Sequence, residues 1–408
     1  MSGGDSRIAV HLRAPAERAV RGGHPWVYAE GIKQQRRPGR AGDLAVIFDR
    51  KDRFLAIGLY DPDSPIRVRI LHQGKPQRID RAWFESRLRT ALERRSALNA
   101  SGTTGFRMVH GENDGLPGLV VDRYGRSTVV KIYSCAWFTH LPDVLAGLDA
   151  LVDSERVVLR LSRAVASAVE QGDLGFHDGQ ILSGSAPSGP VEFQENGLLF
   201  EADLVRGQKT GFFLDQRDNR ARLERYAAGK ASVLNVFAYT GGFSLYAARG
   251  GARSVTSLDV SAPALSAAER NFSRNRSDPA VADARHQVVC GDAFKVMAAM
   301  RERGERFDVV VLDPPSFADS KAHLDGALRA YARVARLGLD LLPERGLFVM
   351  ASCTSRITGD RFRALVADAV VESGRTMRIL EQTGHPLDHP IGFPEGAYLK
   401  CIFADVGS

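Results

Sequence analysis

The stretch FDVVVLDPPSF, residues 307–317, decides the fold class because it joins a buried strand to a rigid turn. Its continuous apolar run is typical of a strand covered on both faces of a parallel sheet. The two prolines that follow restrict the backbone dihedrals and remove two hydrogen-bond donors, so they form a stiff ledge. We therefore predict that the Asp313 carboxylate is held in place at the carboxyl end of a central strand.

Four more runs of the same character lie on either side of this strand in the sequence. They are SVLNVFA, SVTSLDV, HQVVC and GLFVMAS, which begin at residues 232, 254, 286 and 346. Helical patterns such as PALSAAERNFSRN and GALRAYARVARLGLDLL alternate with them. Strands that alternate with helices predict a doubly wound, mainly parallel sheet, so we assign residues 189–408 to an α/β, Rossmann-like domain.

In such sheets, ligands bind beyond the carboxyl ends of the strands, so the residues after each strand are the candidates. The first strand leads into YTGGFS, where Tyr239 and Gly241 lie at a tight turn that can approach a ligand. Asp259 follows the second strand and Asp292 the third, and each carboxylate can accept hydrogen bonds from an adenosine. Neither the GxGxxG nor the GK[ST] phosphate signature is present at this turn. The pattern predicts an adenosyl cofactor without phosphates, S-adenosylmethionine.

The fourth and fifth strands end at residues suited to work on a nucleobase. On its ledge, Asp313 can address a base edge or the cofactor amine, while Pro314 and Phe317 are candidate contacts for a base rotated out of its helix. Cys353 follows the fifth strand and faces the same crevice, where a thiol is a candidate nucleophile. A small buried apolar cysteine is the alternative interpretation. We predict that Cys353 and Asp313 are catalytic.

The N-terminal part of the chain carries its basic charge. Residues 1–100 hold 20 Lys and Arg against 11 Asp and Glu, of 55 and 48 in the whole chain. Short β-like runs between glycines and prolines predict a β-barrel over residues 1–75, and a small α+β domain follows over residues 76–188. The surplus favours a module that contacts RNA phosphates, with Arg21, Arg36 and Arg37 as candidates. An ordinary solvated basic surface is the alternative.

Composition also argues against several classes of protein. The four cysteines lie far apart, without a CxxC pair or histidines at zinc-site spacing, so we expect no metal and reduced thiols. The N-terminus lacks the apolar core of a signal peptide, and no run approaches the roughly 18 apolar residues of a membrane span. We expect a cytoplasmic protein without a membrane partner.

Eight segments occur in a characteristic order: GHPWVYAEGI, RMVHGENDGLPGLVVDRYG, GQKTGFFLDQRDNR, YTGGFS, LDVS, GDAF, DPPSFA and SCTS. Together they resemble the RlmI-type family of large-subunit ribosomal RNA cytosine-5 methyltransferases, over nearly the whole chain. The resemblance implies an N-terminal PUA domain, a middle α+β domain and a class I methyltransferase domain. It also implies S-adenosylmethionine as cofactor, ribosomal RNA as partner and a homodimer as one arrangement of the chain.

The resemblance further implies a role for each site residue. Asp259 would hold the ribose, Asp292 the adenine side, Gly241 the methionine portion, and Asp313 would lie near the transferred methyl group. Cys353 stands at the position of the family's nucleophile, and the cofactor pocket would be closed by Phe213, Asp215 and Gln216. Two departures from methyltransferases at large are Asn235, in place of the usual acid before the glycine turn, and Ser316, where many RNA cytosine-5 enzymes carry a second cysteine. The base that removes the carbon-5 proton is left unidentified.

The mechanism that suits these residues begins with a thiolate adding to carbon 6 of cytosine, which makes carbon 5 able to attack a sulfonium methyl group. Asp313 is the best-placed acid to bond N3 of the ring. Three other functions stay open at this stage. They are methylation of a guanine nitrogen or exocyclic amine, a non-catalytic RNA-binding assembly factor, and a nicotinamide oxidoreductase, which the missing GxGxxG disfavours.

Overall fold

The computed structural model describes residues 7–317 and 324–407. By backbone contacts, the chain divides into two units. The first contains residues 1–197, 202–214 and 387–393, and the second contains residues 198–201, 215–386 and 394–408. The domain limits placed at residues 75 and 188 from the sequence stay a prediction. No helix in the described ranges is long and apolar enough to span a membrane.

The first unit begins with a six-stranded sheet in the order β2-β6-β5-β4-β1-β3. Its strands are β1 (Arg7–Leu12), β2 (Trp26–Tyr28), β3 (Ile32–Gln35), β4 (Leu44–Phe48), β5 (Phe54–Tyr60) and β6 (Ile66–Gln73). The apolar runs of the sequence correspond to β1, β4, β5 and β6, and alternate residues of β1 and β4 are buried in one core. The helix α1 (Ala14–Arg21) was missed because its sequence APAERAVR is short and most of its apolar residues are small alanines.

The rest of the first unit is built on a five-stranded sheet in the order β11-β10-β9-β8-β7. Its strands are β7 (Gly105–His110), β8 (Leu119–Tyr124), β9 (Ser127–Ile132), β10 (Arg156–Leu161) and β11 (Ile181–Gly184), and its helices are α2 (Arg81–Glu93), α3 (Ser96–Ala100), α4 (Leu141–Leu151) and α5 (Arg163–Gly172). One face of the sheet carries Val121, Val130 and Leu159, which are buried in the same core as residues of α2 and α4. This confirms the mixed α and β character predicted after residue 76.

The segment 202–214, in the same unit, is held by hydrogen bonds from this five-stranded sheet. Thr210 donates its hydroxyl to Asp122 at 2.6 Å and lies 2.9 Å from the hydroxyl of Tyr124. The Lys131 amine donates to the carbonyl of Lys209 at 3.1 Å, and Arg160 donates to the carbonyls of Leu204 and Gly207. Side chains on β8, β9 and β10 therefore fix the part of this segment, residues 203–213, that lies outside any helix or strand.

A turn at residues 195–197 joins β12 (Val191–Glu195) to β13 (Leu198–Ala202). Asn196 and Gly197 have φ of 49° and 82°, so both occupy the left-handed region that a tight two-residue turn requires. The sequence placed the turn at these residues.

The second unit is a seven-stranded sheet in the order β16-β15-β14-β17-β18-β20-β19 with helices between the strands. Its strands are β14 (Ser232–Val236), β15 (Ser254–Asp259), β16 (Arg285–Cys290), β17 (Val309–Leu312), β18 (Gly346–Cys353), β19 (Thr376–Thr383) and β20 (Leu399–Gly407). The helices are α6 (Arg217–Tyr226), α7 (Gly242–Arg249), α8 (Ala262–Arg274), α9 (Pro279–Asp283), α10 (Ala293–Glu302), α11 (Leu324–Asp340) and α12 (Gly359–Glu372). This architecture confirms the predicted α/β fold class.

Strand direction decides where the candidate residues of this unit meet. The five strands from β14 to β18 are mutually parallel, so their carboxyl ends lie along one edge of the sheet. The last strand, β20, inserts between β18 and β19 and is antiparallel to both. Its first residues therefore lie beside the last residues of β18, at the same edge of the sheet.

Candidate active site

The turn after β14 has an unusual backbone. Phe237, Tyr239 and Gly241 have φ of 61°, 49° and 77°, and two of the three are not glycine. Such conformations are costly for aromatic residues and tend to persist at functional sites. A Cβ atom at Gly241 would lie 2.7 Å from the Cβ of Ala268 on α8, so glycine is required here by helix packing as well as by φ.

Asp259 fixes this turn while it remains partly exposed. One carboxylate oxygen accepts the backbone N–H of Tyr239 at 2.8 Å, and the other accepts the N–H of Ser261 at 2.9 Å. A carboxylate has about four lone-pair sites, so both oxygens can still accept from a pair of ribose hydroxyls. The next side chain, Val260, is 74% exposed, which presents apolar surface beside the acid.

Asp292 has a structural task in addition to its predicted one. Its carboxylate accepts the N–H of Lys295 at 3.0 Å and caps the N-terminus of α10, and its side chain is exposed. The contact with adenine stays a prediction for this residue.

Asn235, the departure from the usual acid, lies in a buried chain of polar side chains. It donates to Ser244 at 2.9 Å, and Ser244 lies 2.7 Å from Ser257. The hydroxyl of Ser257 is 2.9 Å from His286, whose ring stacks on Phe272 with centroids 3.7 Å apart. Burial lowers the pKa of His286 to about 4, so the ring is neutral at physiological pH. The side-chain amide of Asn235 therefore links β14 to α7 through its hydrogen bond to Ser244.

The Asp313 carboxylate is held by a chain of directed hydrogen bonds. Gln216 donates its amide to Asp313 at 2.9 Å, and its own oxygen accepts from Asn219 at 2.6 Å. The oxygen of Asn219 accepts the hydroxyl of Thr383 at 2.6 Å. Gln216 and Asn219 are almost fully buried, so this chain sets both the position and the hydrogen-bonding role of the glutamine. Only the resemblance pointed to Gln216, and only as a cofactor contact.

Two other residues of the predicted cofactor segment have separate contacts. Asp215 is buried and accepts the hydroxyl of Tyr398 at 3.0 Å. Phe213 belongs to the first unit, where the Lys209 amine lies 4.3 Å from the centre of its ring. Their contact with the cofactor stays a prediction.

The aromatic residues near the diproline form a row. The rings of Phe317 and Tyr331 are 5.0 Å apart, and Phe294 lies 6.3 Å from Phe317. Burial raises the pKa of Tyr331 to about 12, and its hydroxyl accepts from Ser352 at 3.2 Å. Pro314 is buried, whereas the two residues after it are exposed. Phe317 is half-buried, and contact of Pro314 and Phe317 with a base stays a prediction.

Cys353 is the last residue of β18 and is partly exposed, unlike the fully buried Cys401. The neighbouring strand β17 ends at Leu312, one residue before Asp313, so the thiol and the carboxylate follow adjacent strand ends. This partial exposure disfavours the alternative of a buried apolar cysteine.

Sequence reasoning missed Lys400, a buried lysine at the same edge of the sheet as Cys353. It faces Ser352 across the β18–β20 pair, and its amine donates to the carbonyls of Thr354 and Tyr398. Burial lowers the pKa of this amine to about 8, and the neighbouring Cys353 opposes that shift. The only available signal was a charged residue within the apolar stretch YLKCIF, far from Cys353 in the sequence.

The three candidate arginines of the first unit differ in their contacts. Arg21 pairs with Glu17 and Asp49, at 3.1 Å and 2.9 Å. Arg37 donates to the carbonyl of Arg7 and lies 3.8 Å from Asp43. Arg36 is exposed. These contacts leave their role in binding RNA a prediction.

The edge of the sheet fits S-adenosylmethionine by the chemistry of its donors and acceptors. Asp259 offers acceptors for ribose hydroxyls, Val260 offers apolar surface for a flat ring, and the turn at Gly241 brings backbone close to the site. Together with the strand order, these features define the class as a methyltransferase with a Rossmann-like domain that uses S-adenosylmethionine.

Comparisons with known proteins agree with that class. Residues 177–402 match the S-adenosylmethionine-dependent methyltransferase family model, and residues 10–73 match a PUA-like domain. A solved complex of SMU.776 with SAH superposes with a TM-score of 0.82, at 22% identity, over 98% of this chain and 99% of that one. At that identity the match shows the fold.

Two curated relatives are more similar in sequence. A ribosomal RNA large subunit methyltransferase of Deinococcus radiodurans is 49% identical, over 97% of both chains. Ribosomal RNA large subunit methyltransferase I of Pseudoalteromonas translucida is 38% identical, over 98% of this chain and 99% of the relative. The chain therefore belongs to the RlmI-type family of S-adenosylmethionine-dependent methyltransferases, and its cofactor is S-adenosylmethionine.

Proposed function

We propose that this protein forms 5-methylcytosine in large-subunit ribosomal RNA, through a covalent bond between Cys353 and carbon 6 of the base. The observation that carries the proposal is the partly exposed Cys353 thiol at the end of β18, with Asp313 directly after the adjacent strand β17. Methylation of an amine needs no such group.

S-adenosylmethionine supplies an electrophilic methyl group when it is bound. We assign its ribose to Asp259, its adenine side to Asp292, and the rest of its contacts to Tyr239, Gly241, Phe213 and Asp215. Asp313 prepares the base: its carboxyl group is aimed by the Gln216 amide and can accept a hydrogen bond from the amine of cytosine, or donate one to N3 when it holds a proton. Addition of the thiolate to carbon 6 then makes carbon 5 nucleophilic.

The choice of RNA as substrate rests on two supports. The relatives that match nearly the full chain are named for ribosomal RNA of the large subunit. The basic surplus of the N-terminal residues complements a polyanion. We assign phosphate contacts to Arg21, Arg36 and Arg37, the base itself to Pro314 and Phe317, and the reaction to the cytoplasm.

A second candidate function is methylation of an exocyclic amine or a guanine nitrogen. The sequence DPPSF favours it, because an acid and an aromatic residue around two prolines can hold an amino group without help from a thiol. The two functions differ in whether Cys353 is needed.

Replacement of Cys353 by alanine tests the proposal. Large-subunit ribosomal RNA from cells that lack the gene is incubated with S-adenosylmethionine and the enzyme, and the modified nucleoside is identified by mass spectrometry. We expect 5-methylcytidine with the native enzyme and the Cys290→Ser control, because Cys290 is the exposed cysteine at the end of β16. We expect loss of at least about 1,000-fold with Cys353→Ala. Full activity of Cys353→Ala, or a methylated guanosine or amine, would exclude the cytosine-5 mechanism.

A further inference from the structure

The five-stranded sheet of the first unit has one apolar face and one charged face. Residues that pair directly across a ladder point to the same side of the sheet. By this rule the charged face carries Arg107, Asp122, Lys131 and Arg160. Arg107 donates to both carboxylate oxygens of Asp122, and Arg160 pairs with Asp178 at 3.0 Å. The two arginines of this face are therefore neutralised within the unit.

Lys131 differs from these two arginines. Among the residues that the structure describes, no carboxylate lies within ion-pair distance of its amine. The amine donates to the backbone carbonyl of Lys209 at 3.1 Å, which uses one of the three donors of an ammonium group. Burial, followed by the nearby charge of Arg160, lowers the pKa of the amine to about 8. The described part of the chain therefore supplies no anion to compensate for the lost hydration of this amine.

Aromatic rings accompany Lys131 and the residue that accepts its hydrogen bond. The Lys131 amine lies 5.7 Å from the centre of the Tyr133 ring, and the Lys209 amine lies 4.3 Å from that of Phe213. Tyr133 directly follows β9 and is 46% exposed. Lys209 has a φ of 55°, which is costly for a long side chain, and the bond from Lys131 and the anchored hydroxyl of Thr210 hold it there. Lys131, Tyr133 and Lys209 thus form one fixed surface, the Tyr133 surface.

We propose that the Tyr133 surface binds single-stranded RNA, with one base stacked on the Tyr133 ring and a neighbouring phosphate on the Lys131 amine. This inference rests on the proposed function, because it takes RNA as the substrate, and it adds a contact outside the N-terminal sheet. Single-stranded nucleic acids are bound by exposed aromatic rings that take the bases and by cations that take the backbone. A phosphate oxygen accepts from the remaining donors of Lys131 and supplies the anion that this amine lacks.

The exposed ring favours a single strand over a duplex. In a duplex the bases are stacked on one another, so proteins reach mainly the phosphates and the 2′-hydroxyl groups. The Tyr133 ring then has no base face to contact, and only the charge of Lys131 contributes. The two parts of this surface therefore have different signatures, one in the choice between single strand and duplex and one in the dependence on salt.

Four variants separate the ring from the charge. Tyr133→Leu removes the ring and keeps an apolar side chain, whereas Tyr133→Phe keeps the ring. Lys131→Met removes the charge, whereas Lys131→Arg keeps it. Lys230→Met is the control for the loss of a partly buried lysine elsewhere, because Lys230 lies just before β14, at the amino end of that strand. Affinity for S-adenosylmethionine, measured by calorimetry, checks that each variant is folded.

The first measurement is the affinity for a labelled oligouridylate of about 12 nucleotides by fluorescence anisotropy, with a duplex RNA of the same length for comparison. We expect Tyr133→Leu to bind the single strand about 5- to 150-fold more weakly and the duplex within about threefold of native, because stacking on an aromatic ring contributes that much per base. Tyr133→Phe is expected to bind both RNAs as the native chain does. A native affinity for the single strand no greater than that of Tyr133→Leu would refute stacking on this ring.

The salt dependence of the same affinity tests the charge. Each phosphate contact of a single strand contributes about 0.7 to the slope of log affinity against log salt. Lys131→Met is therefore expected to lower the slope by about 0.7, whereas Lys131→Arg and Lys230→Met should keep the native slope. A native slope in Lys131→Met would refute the phosphate contact.

The second measurement uses the native chain and its proposed substrate. Large-subunit ribosomal RNA from cells that lack the gene, grown with 4-thiouridine, is irradiated in complex with the protein, and cross-linked peptides are identified by mass spectrometry. We expect a cross-link in the peptide that carries Tyr133, and its absence would refute the Tyr133 surface. Failure of the cytosine-5 proposal is distinguished by full methylation with Cys353→Ala, which leaves the expected cross-link unchanged.

Discussion

Replacement of Gln216 by glutamate tests the hydrogen-bond chain that aims Asp313. The two side chains have nearly the same shape, but glutamate presents an oxygen where glutamine presents a donor. In the native chain that donor lies 2.9 Å from the carboxylate of Asp313 and is fully buried. In the variant, two carboxyl groups face each other across that distance unless one of them holds a proton.

The magnitude follows from the kind of hydrogen bond that is lost. A hydrogen bond to a charged group contributes about 1.5–3 kcal/mol, and more is lost when a buried group is left without its partner. Since about 1.4 kcal/mol is a factor of ten, we expect kcat/KM for RNA methylation to fall by about 10- to 150-fold at about pH 8.

The pH dependence of the variant provides the sharper test. As the pH falls, the carboxyl group introduced by Gln216→Glu takes up a proton and can donate again. This variant is therefore expected to regain activity relative to the native enzyme between about pH 8 and about pH 6, because a buried carboxyl group beside another has a raised pKa. Gln216→Leu, which never donates, is the matched control and is expected to show no such recovery. A loss smaller than about threefold for both variants at about pH 8 would refute the role of this chain in aiming Asp313.

Three further predictions concern the cofactor, stability and RNA. Asp259→Asn places an amide donor against one of the two backbone N–H groups, of Tyr239 and Ser261, that the carboxylate accepts, so affinity for S-adenosylmethionine by calorimetry should fall about 10- to 100-fold, and equal affinity would contradict the ribose assignment. Because the pKa of His286 is about 4 in the folded chain and its ordinary value is 6.5, unfolded chains bind the proton more readily as the pH falls below 6.5. Urea unfolding of the native protein should therefore lose about 2 kcal/mol between about pH 8 and about pH 5 relative to His286→Gln, and identical pH dependence would refute the assignment. Arg36→Ala should lower the slope of log affinity for RNA against log salt by about 0.7–0.9, whereas Arg21→Ala should change it less because Glu17 and Asp49 already pair with Arg21, and the reverse order would contradict this interpretation.

The sequence was sufficient to predict those strands and turns that form wherever their local residue pattern occurs. The apolar runs at residues 232, 254, 286, 309 and 346 form the parallel strands, and the turn residues Asn196 and Gly197 adopt the conformation that their types favour. In contrast, α1 and the antiparallel β20 were missed. The helix α1 is too short to show a clear helical period. The sequence of β20 is an apolar run, and the direction of such a strand depends on the strands beside it.

Some residues of the candidate site could likewise be named from the sequence, and others could not. Asp259, Asp313 and Cys353 could be named from the sequence because each ends or directly follows a strand, and parallel strands bring their carboxyl ends to one edge. The hydrogen-bond partners of Asp313 could not be named from the sequence. The chain of hydrogen bonds begins at a helix far before Asp313 in the sequence and ends at a strand far after it. Its members are Gln216, Asn219 and Thr383.

The sequence by itself determined the class of fold, the kind of cofactor and the residues that end the central strands, since all of these follow from periodicity and from position along the chain. Only the tertiary structure decided which hydrogen-bonding role each of these residues has and which buried side chains lie at the same edge of the sheet. Lys400 lies 47 positions after Cys353, and the antiparallel insertion of β20 is what brings it beside the end of β18. Burial then lowers the pKa of the Lys400 amine and of the His286 imidazole, and burial is a property of the packed chain rather than of the residue.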